Sequence, residues 1–106
     1  RRSRPSHPGS ITEGWVWKRS RFLRRWRRRW LVLTPQNLMS FKTRNSTTPT
    51  ETVAAGTVRR VYSADNEVLQ ARCFGVELSR RTHYMVCDDE AQKDAWLQSI
   101  SKTLRG

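Results

Sequence analysis

Acidic side chains are almost missing from the first 44 residues, where Glu13 stands alone against thirteen lysines and arginines, a net of +12. The other 62 residues balance eight basic against eight acidic side chains, so the whole formal charge, also +12, sits in the first two-fifths of the chain. That asymmetry points to an anionic partner, a nucleic acid or a membrane surface. Histidine is nearly as scarce, with only His7 and His83. No Ser/His/acid or Cys/His motif and no Gly-rich phosphate loop is recognisable, so an enzyme is not expected. His83 reads as a surface residue of a strand. Cys73 and Cys87 lack zinc spacing and make no disulfide framework; they read as buried, reduced thiols of a cytosolic domain. Neither a metal nor a cofactor is expected. No apolar run approaches the ~18 residues of a membrane-spanning helix.

What is present fits one domain of 106 residues with a single modest core. The chain begins without Met and reads as an excised piece, so any lipidation signal would precede Arg1. Residues 1–11, "RRSRPSHPGSI", have no periodicity and read as a flexible basic lead-in, with the domain proper from 12 to 106. "EGWVWKRS" and "RRRWLVLT" predict two strands joined by a short basic loop. "TPQN" is a turn, "LMSFKT" a third strand and residues 44–50 a polar loop. "TVAAGTVRRVY" suggests further strand, bent or bulged at Gly56, and "SADNE" a turn. "ARCFGVELS" and "THYMVCD" predict a last hairpin around Arg80 and Arg81. Beyond it the period changes. Asp88 or Asp89 can cap a helix whose stripe is Trp96, Ile100 and Leu104, flanked by Leu97 and Ala91. Lys102 and Arg105 fall in its last turn, with Gly106 as a C′ residue. The pattern is about seven short strands and one amphipathic helix of roughly four turns, which most simply covers the open end of the sheet.

"EGWVWKR", "RRWRRRWLVLT", "LMSFK" and the Trp96 helix together resemble the pleckstrin homology (PH) domain family from about Thr12 to Leu104. The first two segments match at the level of spacing; residues 51–75 match loosely. The resemblance implies a mainly β fold, a seven-stranded antiparallel barrel or sandwich capped by one α-helix. It also implies that Lys18, Arg27 and Arg29 hold a lipid phosphate, as the matching residues do in phosphoinositide-binding members.

Strand parity points independently to the same three residues. Leu31 and Leu33 must face the core, so Arg29 and Arg27 continue the inward face; Val16 faces inward, and Lys18 shares its parity. Buried cations would be prohibitive unless paired or wet, but at the mouth of a barrel they converge on a rim suited to phosphate. Trp26, Arg28 and Trp30 face outward by the same count, with Trp15 and Trp17 as sheet cover. Arg19, Arg21, Arg24, Arg25, Arg28 and Lys42 supply a surrounding positive field. Phe22 and Leu23, ringed by arginines at the loop tip, read as a membrane-inserting pair. Each cation near an anionic bilayer contributes about 1 kcal/mol, and burying the pair adds about 2–4 kcal/mol.

Two departures bear on the lipid. The third-strand tyrosine common in phosphoinositide binders is Ser40 here, and the loop position that often carries a further cation is Phe22. Both favour a small phosphomonoester headgroup, phosphatidic acid, over a stereospecific inositol phosphate. The overall pattern also resembles the acylated PH-domain proteins of apicomplexan parasites, which recognise phosphatidic acid. One acyl chain anchors only marginally, so a lipid-reading domain would be the second signal. The expectation is a monomeric module, peripheral on the cytosolic face of an anionic membrane, with no small-molecule substrate. A phosphoinositide ligand and a protein or nucleic-acid partner stay open as alternatives. Nucleic acid is disfavoured because no helix-turn-helix, zinc finger or RNP-like motif accompanies the charge.

Overall fold

A computed structural model describes residues 7–104. Arg1, Arg2 and Arg4 of the basic lead-in, and Arg105 and Gly106 at the expected helix end, lie outside the described residues. Seven strands form one antiparallel sheet: β1 (Thr12–Arg19), β2 (Trp26–Leu33), β3 (Asn37–Phe41), β4 (Glu51–Ala54), β5 (Arg60–Ser63), β6 (Cys73–Glu77) and β7 (Thr82–Val86). Their spatial order is β4-β3-β2-β1-β7-β6-β5. The longest ladder joins β1 to β2 over eight pairs, whereas β1 meets β7 only at Trp17↔Val86 and Lys18↔Met85. That short seam brings the end of β7 beside the cationic end of β1.

Two expected features resolve differently. The Gly56 bend is a 3-10 turn, Ala55–Thr57, which divides the stretch 52–62 into β4 and β5. The expected turn at "SADNE" contains a short helix, α1 (Asp65–Val68). Its Asp65 side chain accepts hydrogen bonds from the backbone N–H of Arg72 (3.2 Å) and Cys73 (2.7 Å), so it fastens the entry to β6.

The core comprises Val16, Leu31, Leu33, Leu38, Val53, Phe74, Val76, Met85 and Cys87, with Trp96 and Ile100 from the final helix, α2 (Glu90–Leu104). Phe74 and Trp96 stack at 6.3 Å. Asp89 caps α2 by accepting from the Gln92 N–H at 2.8 Å, satisfying one of the donors a helix start leaves free. Ala91 is exposed; Lys93 instead extends the buried face, its Nζ donating to Ser63 Oγ (2.6 Å) and Asp65 Oδ1 (3.0 Å). An ammonium can occupy a helix's inner face because it finds such partners, here a hydroxyl and a counter-charge.

Alternation in β2 is not strict. Val32 and, on β3, Phe41 share the outward parity yet are buried, with Phe41 beneath the stacked ring of His7 at 4.3 Å. The Ile11 N–H also donates to Leu33 O at 2.7 Å, so residues 7–11 lie against the sheet. Among the described glycines, Gly75 is the one that a neighbouring side chain approaches most closely. A Cβ there would meet the Tyr62 ring at 2.9 Å. The two buried thiols are pushed up by desolvation, Cys73 to about 11 and Cys87 to about 12, so they are poor nucleophiles at neutral pH. No helix among the described residues is long and apolar enough to cross a membrane.

Candidate functional site

The loop between β1 and β2 is a closed hairpin tip. Ser20 N–H donates to Arg25 O (2.7 Å), and Arg25 N–H donates to Ser20 Oγ (3.0 Å). Arg24 takes a left-handed conformation (φ 52°) to complete the turn. These bonds leave Phe22 85% and Leu23 63% exposed at the apex, with the Arg21 guanidinium over the Phe22 ring at 5.3 Å. Two adjacent apolar side chains are thus held outward among cations.

Behind the loop, the inward parity of β1 and β2 brings Lys18, Arg27 and Arg29 to one recess of about 160 Å³. Lys18 and Arg27 are cross-strand partners, and Arg29 lies opposite Val16. Arg19, Ser20, Arg21, Thr50, Glu51 and Arg81 complete its lining. Arg27 is exposed, Arg29 half-buried with its Nη1 on the Arg28 carbonyl (2.9 Å), and Lys18 buried. Of the six supporting cations, only Arg19 and Arg21 border this recess. Arg24 lines a neighbouring groove, and Arg25 and Lys42 border neither. Arg28 is on the outer face, where Asp88 grips it through two bonds of 2.9 and 2.7 Å and Trp15 and Trp17 flank it.

Sequence reasoning missed three neighbouring residues: Glu51 and Arg81, which line the recess, and His83, which lies beside Glu51. Glu51 begins β4 and accepts hydrogen bonds from both Lys18 and Arg81. His83 on β7 is 4% exposed, not a surface residue, and its Nδ1 lies 3.9 Å from Glu51 Oε1 without a hydrogen-bond partner. Parity carried the signal. Glu51 is two residues from buried Val53, and Arg81 and His83 are in step with buried Met85, so all three belong to the inner face.

Electrostatics follow from this cage. Burial works to raise the Glu51 carboxyl, but hydrogen bonds from Lys18 and Arg81 prevail and hold it at about 2. Burial lowers Lys18, partly offset by Glu51. Desolvation, then the charges of Lys18 and Arg81, push His83 down to about 4, so its imidazole is neutral at pH 7.

A second groove of about 340 Å³ opens on the other side of the loop, lined by Arg19, Arg21, Arg24, Arg81, Thr82 and Tyr84. Glu67 is also in its wall, and accepts hydrogen bonds from the hydroxyls of Tyr62 and Tyr84. Among the described residues no cluster of His, Cys, Asp and Glu is arranged to hold a metal ion.

A seven-stranded antiparallel sheet followed by a C-terminal helix is the arrangement of the PH domain. The profile of that family, described as PH domain, matches residues 10–105, and the chain belongs to it. Its relatives include the Pleckstrin homology domain-containing protein 1 of Arabidopsis thaliana, 28% identical over 96 residues that cover 86% of this chain and 66% of that protein. The mouse protein Differentially expressed in FDCP 6 is 30% identical over 101 residues, covering 90% of this chain and 15% of its own length. The chain thus spans less than two-thirds of these relatives. Among solved structures, the Slm1 PH domain with phosphoserine superposes at a TM-score of 0.78 with 20% identity, over 92% of this chain and 98% of that one. The same domain with inositol-4-phosphate gives 0.72 and 18%, over 89% and 96%. A further Slm1 structure, whose ligand binds outside the family's usual site, gives 0.76 and 18%, over 91% and 98%.

Proposed function

We propose that this domain recruits its protein to anionic membranes by holding a phospholipid phosphate in the recess of Lys18, Arg27 and Arg29 while Phe22 and Leu23 insert into the bilayer. One observation carries the reading: the recess and the exposed apolar pair belong to the same hairpin, so a headgroup in one puts the acyl region under the other. Arg supplies bidentate contacts to phosphate and Lys a point charge. That the Slm1 PH domain was solved with phosphorylated ligands is consistent with this use of the fold.

Phosphatidic acid is the favoured headgroup. Sites for drug-sized ligands occupy about 300–1,000 Å³, whereas this recess offers about 160 Å³. Ser40, where a tyrosine would contact an inositol phosphate, is buried and bonded to Thr50 (2.8 Å) rather than directed at a ligand. This reading has the domain acting as a monomer, peripherally, on the cytosolic face of a membrane, as a binding module without catalysis.

A second reading is favoured by the larger groove beside the loop, because a Slm1 neighbour takes its ligand outside the usual site. Its ligand would be an inositol phosphate between Arg19, Arg24 and Tyr84. Cosedimentation with vesicles of phosphatidic acid, phosphatidylserine or phosphatidylinositol bisphosphate, at matched surface charge and fixed salt, separates the two. Selective binding to phosphatidic acid that Arg27→Glu plus Arg29→Glu abolishes supports the recess. Loss of binding with Arg19→Glu plus Arg24→Glu alone supports the groove. Equal binding to all three lipids, or displacement by oligonucleotide at the same salt, contradicts headgroup recognition.

A further inference from the structure

The recess holds an anion of its own. Glu51 bonds Lys18 with one carboxylate oxygen and Arg81 with the other, so the buried ammonium of the site and one of its half-buried guanidinium groups are already engaged. A buried ammonium without a counter-charge is costly, and Glu51 relieves that cost. A headgroup phosphate entering between Arg27, Arg29 and Lys18 meets the same carboxylate, and like charges at that distance repel in a poorly hydrated site.

We propose that Glu51 is an internal counter-anion which a headgroup phosphate must displace from Lys18, and that this competition makes the site discriminate by headgroup charge. The inference rests on the reading of the recess as a headgroup site. A phosphodiester such as phosphatidylserine presents one negative charge on its phosphate. Trading it for the carboxylate on Lys18 exchanges one unit for one, and the cost of moving Glu51 is left over. A phosphomonoester carries about −1.5 to −2 near pH 7 with three acceptor oxygens. It outbids a carboxylate for Lys18 and still engages Arg27 and Arg29.

The displaced carboxylate has somewhere to go. Arg81 can keep its bond while the other oxygen turns from Lys18 toward His83, whose buried Nδ1 is 3.9 Å away and unpartnered. An approach of about 1 Å reaches hydrogen-bond distance, with the Nδ1 hydrogen donating. Lys18 and Arg21, which also act on His83, then sit on the phosphate side of the exchange. His83 Nδ1 is one of two buried side-chain polar atoms without a partner among the described residues, the other being His7 Nε2; such orphans are unusual, and this exchange gives His83 a partner.

The test compares wild type, Glu51→Gln and the pair Arg27→Glu plus Arg29→Glu on phosphatidylcholine vesicles doped with phosphatidic acid or with phosphatidylserine. Inorganic phosphate serves as the soluble competitor that distinguishes a lipid-bound from a free source. Glu51→Gln is expected to bind phosphatidic acid vesicles about tenfold tighter. It is also expected to gain phosphatidylserine binding, so that selectivity falls. Its melting temperature should rise with added phosphate more than that of wild type, because Lys18 now depends on an external anion. Unchanged or weaker binding by a folded Glu51→Gln overturns the role of Glu51 while leaving the recess intact. Binding that survives the double reversal overturns the recess itself. Should Glu51→Gln fold poorly, the Glu51 carboxyl carbon resonance of wild type decides: titration with short-chain phosphatidic acid shifts it if the carboxylate leaves Lys18, and an unmoved signal contradicts the proposal.

Discussion

Lys18 and Arg27 stand directly opposite one another in the β1–β2 ladder, two cations on the same inward face. Like charges so placed destabilise a sheet, by about 0.2–1 kcal/mol. The fold carries that cost, with Glu51 as partial relief, and a phosphate held between the pair, as proposed, would offset it. Arg27→Gln is therefore expected to raise the melting temperature by about 1–4 °C, scaling the pair energy by the usual response of a 100-residue domain, while weakening binding to phosphatidic acid vesicles. Calorimetry alongside cosedimentation checks both directions; a variant that loses stability and binding together would contradict the trade-off.

The exposed loop pair should matter to binding and not to folding. Phe22→Ser plus Leu23→Ser removes apolar area that makes no core contact, so the melting temperature should stay within about 1 °C, as for surface changes generally. Vesicle affinity should drop at least tenfold, since burying the pair contributes about 2–4 kcal/mol. The residual binding should be more salt-sensitive, because only screened electrostatics remains. Salt titration of the two proteins reads this directly.

Stability should fall in two acid steps. His83 has its pKa depressed from 6.5 to about 4. Its contribution is therefore full above pH 6.5 and is lost as the pH falls from there through 4. Glu51, lowered from 4.5 to about 2, contributes above pH 4.5 and is lost as the pH falls through 2. Urea unfolding across this range should show the upper step flattened in His83→Gln and the lower step retained. A slope unchanged by that substitution would remove His83 from the account.

Lys93 is a structural cation rather than a ligand-binding one. Its ammonium links α2 to Ser63 and Asp65, and Asp65 holds the start of β6. Lys93→Ala should cost about 2 kcal/mol, the range of hydrogen bonds to charged groups. Membrane binding by the folded fraction should be unaltered. Equilibrium denaturation and cosedimentation together distinguish the two effects.

The parts of the site that could be read along the chain were the local ones. Parity in two long strands placed Lys18, Arg27 and Arg29, and the loop's composition singled out Phe22 and Leu23. Glu51, Arg81 and His83 were hidden because β4 and β7 reach β1 and β2 only through the sheet's topology. Their inward parity could be counted only against Val53 and Met85, in short and ambiguous segments. His83 looked like surface because a histidine in "THYMV" has no obvious partner until Glu51 is beside it. Lys93 was passed over because a charged residue seldom belongs to a helix's buried stripe, and the Asp65 that permits it lies 28 residues away. The outer burial of Phe41 depends on His7, in a stretch without periodicity.

Entry of phosphate into the recess between β1, β2 and β4 is best followed residue by residue, by a backbone amide titration with short-chain phosphatidic acid. The largest shifts are expected at residues 18–21, 27–29, 50–51 and 81, saturating together. Shifts centred instead on residues 67–68 and 82–84, or none before the charge is simply neutralised, would contradict it.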